Sequence, residues 1–397
     1  MRQSLKIVAL LGGLLVSMRA ATSTAQAPVD LQGIDRIIEG RMQETGLVGV
    51  GAAIILDRKL VWSRGYGFAD KQDAVPFTTD TVMNIGSISK PFTGVALMQA
   101  VEDGKLSLDE DINAYLPFKV VNPSFPDARI TLRHLATHTS GITDRWEVYQ
   151  RTYHWGGDAP EPLGEFLQGY LATGGKDYAK DNFLPFKPGT HRDYSNIAAG
   201  LAGYIVERAV GEKLNTYTAR RIFKPLGMDR SGWLLSEIAP GAHSTLYVGQ
   251  EGFSIPIQLY GITTYPDGGV RTSVSDLSRF FIALLDGGHY EGARILDASS
   301  TAEMLRFQYT EADKPDNVLL NEKNSGIFWS TKFDVTYIGH GGSDPGISTE
   351  MLSTLDKDMA IILMVNTSLS GKEAAVYNAL LDDLWKHAAT LKRKAAE

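Results

Sequence analysis

In the stretch Asn84-Ile85-Gly86-Ser87-Ile88-Ser89-Lys90-Pro91-Phe92 a hydroxyl and an amine stand three residues apart. On a helix that spacing places both on one face. An alcohol becomes an effective nucleophile when a neighbour takes its proton, and a lysine half-desolvated at a helix start can be that base. Ser87 and Lys90 are therefore a candidate nucleophile and its activator. The same residues also fit an ordinary helix N-terminus, with Ser87 or Ser89 capping and Lys90 in water. The rest of the chain has to decide between the two.

The apolar run Thr93 to Val101, closed by Asp103-Gly104, predicts a buried helix directly after Lys90, so the pair would sit in its first turn. Free N–H groups and the helix dipole favour developing negative charge there. Upstream, Asp30 to Thr45 has a helical period, and Val48 to Leu56 and Leu60 to Tyr66 read as a hairpin turning at Asp57-Arg58-Lys59. Between Ser87 and about Ile238 helices predominate, with examples at Ile130 to His138, Leu163 to Leu171, Ala198 to Val210 and Leu214 to Phe223. Strand patterns return from about Tyr247. Asp276 to Leu285 reads as a helix, Val335 to Ile338, Ile347 to Leu352 and Ala360 to Val365 as strands, and Lys372 to about Leu391 as a closing helix. These patterns predict an α/β (α+β) fold, an antiparallel sheet built from both chain ends and flanked by helices, with a mostly helical region inserted. The expected division is 28–80 with 247–391 for the sheet domain, 81–246 for the helical domain and 392–397 for a frayed tail. Ser87 lies at the junction, where a cleft between two bodies suits small-molecule chemistry.

Three further constellations carry chemistry. In Asp193-Tyr194-Ser195-Asn196, ahead of a Gly/Ala-rich helix, Tyr194 can move protons and Asn196 can orient a lysine or a substrate carbonyl, although packing in a turn and helix capping are ordinary uses of both. In Gly339-His340-Gly341-Gly342-Ser343 the glycines permit close approach to backbone, an exposed N–H can face an oxyanion, and His340 can donate to a substrate or relay a proton, although a turn with an exposed histidine has the same pattern. His134 and His138, four apart, have metal-ligand spacing, but the glutamate of a zinc-protease motif is absent, and hydrogen-bonded structural histidines at a helix end are the preferred reading. No metal and no cofactor are expected.

The chain has 397 residues and a formal charge of −7, with no block of like charges, which argues against nucleic acid or an anionic membrane surface as partner. A basic opening at Arg2 and Lys6, an apolar run from Ile7 to Val16 and the small residues around Ala25-Gln26-Ala27 read as a secretory signal peptide over 1–27, so a secreted or periplasmic location is expected. The apolar run is too short to span a bilayer. Cysteine is absent, so no disulfide and no cysteine-linked lipid anchor is expected. A Gly-x-Ser-x-Gly elbow, a P-loop and a dinucleotide fingerprint are also missing.

Taken in order, Ser87-x-x-Lys90, His138-Thr139-Ser140-Gly141, Tyr194-x-Asn196, Pro266-Asp267-Gly268-Gly269-Val270 with Asp276-Leu277-Ser278-Arg279-Phe280, and His340-Gly341-Gly342 resemble the beta-lactamase-related serine hydrolases. That group includes class C beta-lactamases, low-molecular-weight penicillin-binding proteins, D-amino-acid peptidases and family VIII esterases. The resemblance covers nearly all of the chain after the leader. It implies that Ser87 becomes acylated, that Lys90 and Tyr194 share the proton traffic with the base left open between them, and that Asn196 holds Lys90 and the acyl side chain. It further implies an oxyanion hole from the N–H groups of Ser87 and Ser343, with His340 and Gly342 at the substrate. His340 departs from the family's usual lysine and Gly341 from its threonine. A histidine is mostly neutral at pH 7, so esters, amides or peptides are favoured over substrates that need a carboxylate contact there. A beta-lactamase or D-Ala-D-Ala carboxypeptidase is the alternative, and a sensor that is acylated without turnover, or not at all, the non-enzyme one. The expected partner is a small molecule or short peptide. Specificity is assigned to the loops Arg145 to Pro162 and Tyr247 to Tyr265, with Trp146, Tyr149, Tyr153 and Trp155 as an apolar acyl pocket or as packing beneath a loop.

Overall fold

The computed structural model describes residues 32–250 and 253–397. The leader read over 1–27 lies outside them. At the centre is a hairpin of β1 (Gly49–Leu56) and β2 (Lys59–Asp70). Its two turn residues, Asp57 and Arg58, both take positive φ, 47° and 63°, as a tight turn matching the right-handed strand twist requires. Next to β2 lies the short β3 (Val75–Pro76). The other four strands come from the far end of the chain: β4 (Ser330–Lys332), β5 (Tyr337–Asp344), β6 (Ile347–Thr354) and β7 (Met359–Val365). The spatial order is β4-β5-β6-β7-β1-β2-β3, with every neighbouring pair antiparallel. The two chain ends meet where Ala53 faces Ile362.

The central strands are apolar throughout because both of their faces are covered. Val50, Ala52 and Ile54, with Ile361, Leu363 and Val365, pack beneath α1 (Gln32–Thr45) and the C-terminal helix Gly371–Ala396. Ala53 and Ile55, with Ala360, Ile362 and Met364, belong to the larger core on the opposite face. That core contains α2 (Ser89–Glu102), α3 (Leu163–Leu171), α4 (Asn196–Val210) and α5 (Val274–Leu285). Helix α2 is buried from Ser89 to Ala100, which no amphipathic surface helix would tolerate. It is the axle of the helical region.

Several local expectations are revised. The C-terminal helix, α6 (Gly371–Ala396), runs through the residues read as a frayed tail, held by buried Leu391 and by Lys392 Nζ at 3.1 Å from Asp358. The helix read over Ile130 to His138 is only Leu132–Ala136, and His138 takes φ 59°. The strands Leu246–Gln250 and Phe253–Ile257 form a separate three-stranded sheet with Thr367–Ser368.

Strand β5 passes against the Ser87 segment at Gly342. A Cβ there would run into the Ile85 carbonyl oxygen and the Thr349 hydroxyl. That hydroxyl donates to Ile85 O at 2.9 Å and so ties β6 to the same segment. We therefore expect Gly342→Ala to lower unfolding stability by about 1–3 kcal/mol, measured as a shift in urea midpoint at constant slope. An unchanged midpoint would mean that this contact yields freely.

Candidate active site

The approach to Ser87 is fixed by short backbone pairings. Met83–Asn84 pairs with Arg271–Thr272, and Ile85 N–H donates to Val270 O at 3.0 Å. Gly86 turns the chain at φ 54°, its N–H accepted by Asn84 Oδ1 at 2.6 Å. One tight turn, Gly86–Ile88, then leads into α2, so Ser87 stands half-buried at the helix entrance and Lys90 lies inside, fully buried. Their side chains meet as the spacing predicts, with Lys90 Nζ 3.0 Å from Ser87 Oγ.

Two other segments complete the surroundings of Lys90. Its Nζ donates to Asn196 Oδ1 at 2.7 Å and to the Asp267 carbonyl at 2.8 Å. Both partners are oxygen acceptors with no proton to give. The third position around nitrogen faces Ser87, so a neutral amine held by these two bonds would aim its lone pair at the hydroxyl. Asn196 does not cap α4. Ser195 does, accepting from Ala198 N at 2.9 Å, and this frees the Asn196 side chain for Lys90.

The turn bearing Tyr194 is held from below by Asp144, whose role the sequence did not disclose, and by His138, a hydrogen-bonded structural histidine as expected. Asp144 accepts from Ser195 Oγ at 2.7 Å, Asn196 N at 2.7 Å and Ile197 N at 3.1 Å. It thereby binds the α4 N-terminus with a carboxylate where the dipole is positive. His138 accepts from Ser195 N at 3.3 Å through Nδ1, its carbonyl accepts from Asp193 N, and its ring lies 4.3 Å from that of Tyr194, centre to centre. Burial, followed by the charges of Arg192 and Lys90, holds His138 well below the usual histidine range, so it stays neutral with its proton on Nε2. The Tyr194 ring lies beneath Lys90, with Nζ 4.8 Å from its centre.

The remaining expected site residues lie on β5. His340 is buried, and burial with the nearby Lys90 charge holds it neutral. Its Nδ1 lies 2.7 Å from the Gly341 carbonyl, so Nδ1 carries the proton and Nε2 is an acceptor. That corrects the expectation of a donor. Ser343 is exposed, and its N–H comes close to the Ser87 turn, 3.4 Å from where a Cβ on Gly86 would stand. Gly342 is buried against Ile85 and does not line the cavity, which takes its surface from Gly341 and Ser343 instead. At Gly341 a Cβ would meet the Glu350 carboxylate, which occupies the space a threonine side chain would need.

Ser87, Tyr194, Asn196, His340 and Ser343 thus face one cavity of about 390 Å³. The aromatic loop contributes differently from the acyl pocket considered above. Trp146 and Trp155 are exposed, and none of the four aromatics lines the cavity. Tyr149 and Tyr153 are struts, donating to Asp267 Oδ1 at 3.0 Å and Asp344 Oδ1 at 2.6 Å. His134 accepts the Thr131 N–H at 3.3 Å, closing a cap on its own helix. Among the described residues no three potential metal ligands cluster.

A sequence profile of the beta-lactamase family matches residues 34–384. A penicillin-binding protein of Bacillus subtilis is 26% identical over 332 residues, which take in 77% of this chain and 65% of that protein. Esterase EstB of Burkholderia gladioli is 28% identical over 217 residues, 51% of this chain and 52% of that one. The chain therefore matches less than two thirds of the length of either relative. An octameric penicillin-binding protein homologue from Pyrococcus abyssi superimposes with a TM-score of 0.71 at 24% identity, over 92% of this chain and 78% of its own, which is a likeness of fold.

Two predictions come from the supports of Lys90. Asp144→Ala removes three hydrogen bonds to the α4 start, and we expect it to cost about 1–3 kcal/mol of stability and to weaken activity through displacement of Tyr194 and Asn196; full activity in the folded variant would contradict this. Burial pushes the Asp267 carboxyl up from 3.8 to about 7, against the pull of Lys90. Between those values the folded chain holds a proton that the unfolded chain has released, so this contribution to stability is present at low pH and lost as pH rises. Asp267→Asn should therefore gain stability relative to wild type between pH 5 and pH 8, read from urea midpoints. Parallel profiles for the two proteins would sink the assignment.

Proposed function

Because the chain belongs to the beta-lactamase family of serine hydrolases, we propose that it cleaves ester or amide bonds of small or peptide-like substrates through an acyl-enzyme on Ser87. The observation that carries this reading is the bonding of Lys90. Two of its positions are taken by carbonyl acceptors and the third faces Ser87 Oγ at 3.0 Å. Lys90 takes the serine proton as Oγ adds to the substrate carbonyl. The resulting oxyanion lies between the N–H groups of Ser87, unpaired at the start of its turn, and Ser343. One donor of this kind accounts for roughly a hundred- to a thousand-fold in rate. Tyr194, packed at a tilt against His138 and beneath Lys90, carries the proton onward to the leaving group. Collapse of the tetrahedral intermediate expels that group and leaves the serine ester. Water then adds to the ester, its proton returns through the same residues, and Ser87 is released.

His340 supports esters, amides and peptides over beta-lactams. The neutral ring offers an acceptor at Nε2 where a fixed positive charge would hold a carboxylate. Beta-lactam or D-Ala-D-Ala cleavage is the second reading, supported by the likeness to the Bacillus subtilis penicillin-binding protein.

The test is pre-steady-state hydrolysis of p-nitrophenyl acetate and of a chromogenic cephalosporin. A burst followed by turnover on the ester, lost in Ser87→Ala, is expected, with the cephalosporin slower. Tyr194→Phe should slow acylation about a hundredfold or more without loss of folding. Equal rates for wild type and Ser87→Ala would overturn the assignment, and a single stoichiometric burst would make the chain a sensor instead.

A further inference from the structure

Three cations line the Ser87 cavity: Arg192, Lys323 and Lys332. Lys332 has its counter-ion, Glu350, at 3.1 Å. Arg192 and Lys323 have none within ion-pair distance among the described residues. Lys323 is half-buried, and its one hydrogen bond goes to the Thr331 carbonyl at 2.7 Å. Arg192 is held at its backbone, where the Asn317 side chain accepts its N–H at 3.0 Å and donates to its carbonyl at 2.9 Å. Its guanidinium meets only the neutral Tyr309 hydroxyl, and its Nε is buried and unbonded.

Two unmatched cations in one partly dehydrated wall repel each other, and the repulsion is unusual in a chain with 46 acidic residues against 39 basic ones. Solvated surface cations would be screened at little cost. Here burial and the Arg192 charge together pull the Lys323 amine down to about 8. An anion placed between the two would cancel the repulsion and take up the free N–H groups in charge-assisted bonds. The strand does not compete for that anion, because His340 is neutral and Glu350 lies behind Gly341.

We propose that Arg192 and Lys323 form an anion-binding subsite in the Ser87 cavity, so that the substrate carries a carboxylate- or phosphate-type group on the wall formed by the Tyr194 segment and the loop before β4. This deepens the hydrolase reading and rests on it for the word substrate. The subsite lies away from the His340-Gly341 position, so the anion stands in a different place relative to the reacting carbonyl than a contact on that strand would give.

The test uses two matched pairs of chromogenic esters. One pair is the p-nitrophenyl ester of glutarate, with a free carboxylate, and its methyl-capped counterpart. The other is the acetyl ester of 3-hydroxy-4-nitrobenzoate and that of its methyl ester, which moves the charge to the leaving group. In at least one pair the anionic member should have about a tenfold or higher kcat/KM at low salt, and the ratio should fall as ionic strength rises. In the double variant Arg192→Gln, Lys323→Gln the ratio should approach one. Thermal shifts of wild type and Ser87→Ala with inorganic phosphate and with glutarate read the subsite without catalysis and tell the two anion types apart. Stabilisation by either anion, lost in the double variant, supports the subsite even if no ester is cleaved. A ratio at or below one in both pairs, a ratio the double variant does not change, or no stabilisation by either anion overturns it. Ser87-dependent turnover without an anionic preference would leave the hydrolase reading standing and remove this one.

Discussion

A fully buried amine with three oxygens around it is the constraint the rest of the structure serves. Burying such a group without partners costs several kcal/mol, and the partners of Lys90 come from three separate segments: Ser87 in the turn that leads into α2, Asn196 at the start of α4, and the Asp267 carbonyl in the turn after Ile262. Each needs its own support. Asp144 fixes Asn196, Tyr149 braces Asp267, and the Val270 carbonyl with Asn84 sets the entry to Ser87. The burial of α2 on all sides follows from the same requirement, because a helix that must present one buried amine to two other segments has no face left for solvent.

Much of this was legible locally. Helix α3 has the bounds its pattern predicts, and the Asp57-Arg58 turn falls where charged residues interrupt apolar runs. The sheet from both chain ends could be read because β1 and β7 are apolar without alternation, the signature of strands covered on both faces. The pairing of Ser87 with Lys90 needed only helical spacing. Other features were hidden because their partners are far apart in sequence. Asp144 looks like any loop aspartate until Ser195 is placed against it, and Arg192 and Lys323 are ordinary surface cations until the cavity brings them together. Asn196 was ambiguous for a related reason. It sits where a capping residue could sit, and only the Ser195 bond to Ala198 shows which of the two adjacent side chains caps. The aromatic loop misled because ring content reports burial, not which side of the wall the rings occupy. Tyr149 and Tyr153 turn inward to Asp267 and Asp344 behind the cavity.

The electrostatics of the cleft also run against those of the whole chain. The net charge is negative, yet the cavity presents cations, while the carboxylates close to Lys90 are placed behind it. Asp344 is pushed up to about 6 by burial, as Asp267 is pushed to about 7. Asp267 is ionised only in part at neutral pH and Asp344 lies behind the cavity wall bonded to Tyr153, so the positive field at the opening survives the acidic surroundings.

The pairing of Ala53 with Ile362 has a consequence for how the molecule comes into being. A ribosome delivers β1 roughly 300 residues before β7, the strand that flanks it. Until β7 emerges, β1 has a partner on one edge only, and its two apolar faces lack the C-terminal helix and the later part of the core. A growing chain that has not yet reached Met359 cannot contain a finished sheet centre, and a chain shortened before Met359 can never contain one. Closure of the sheet therefore waits for β7 to be made, and the nascent molecule has to be kept from pairing its open strand edge with another copy in the meantime.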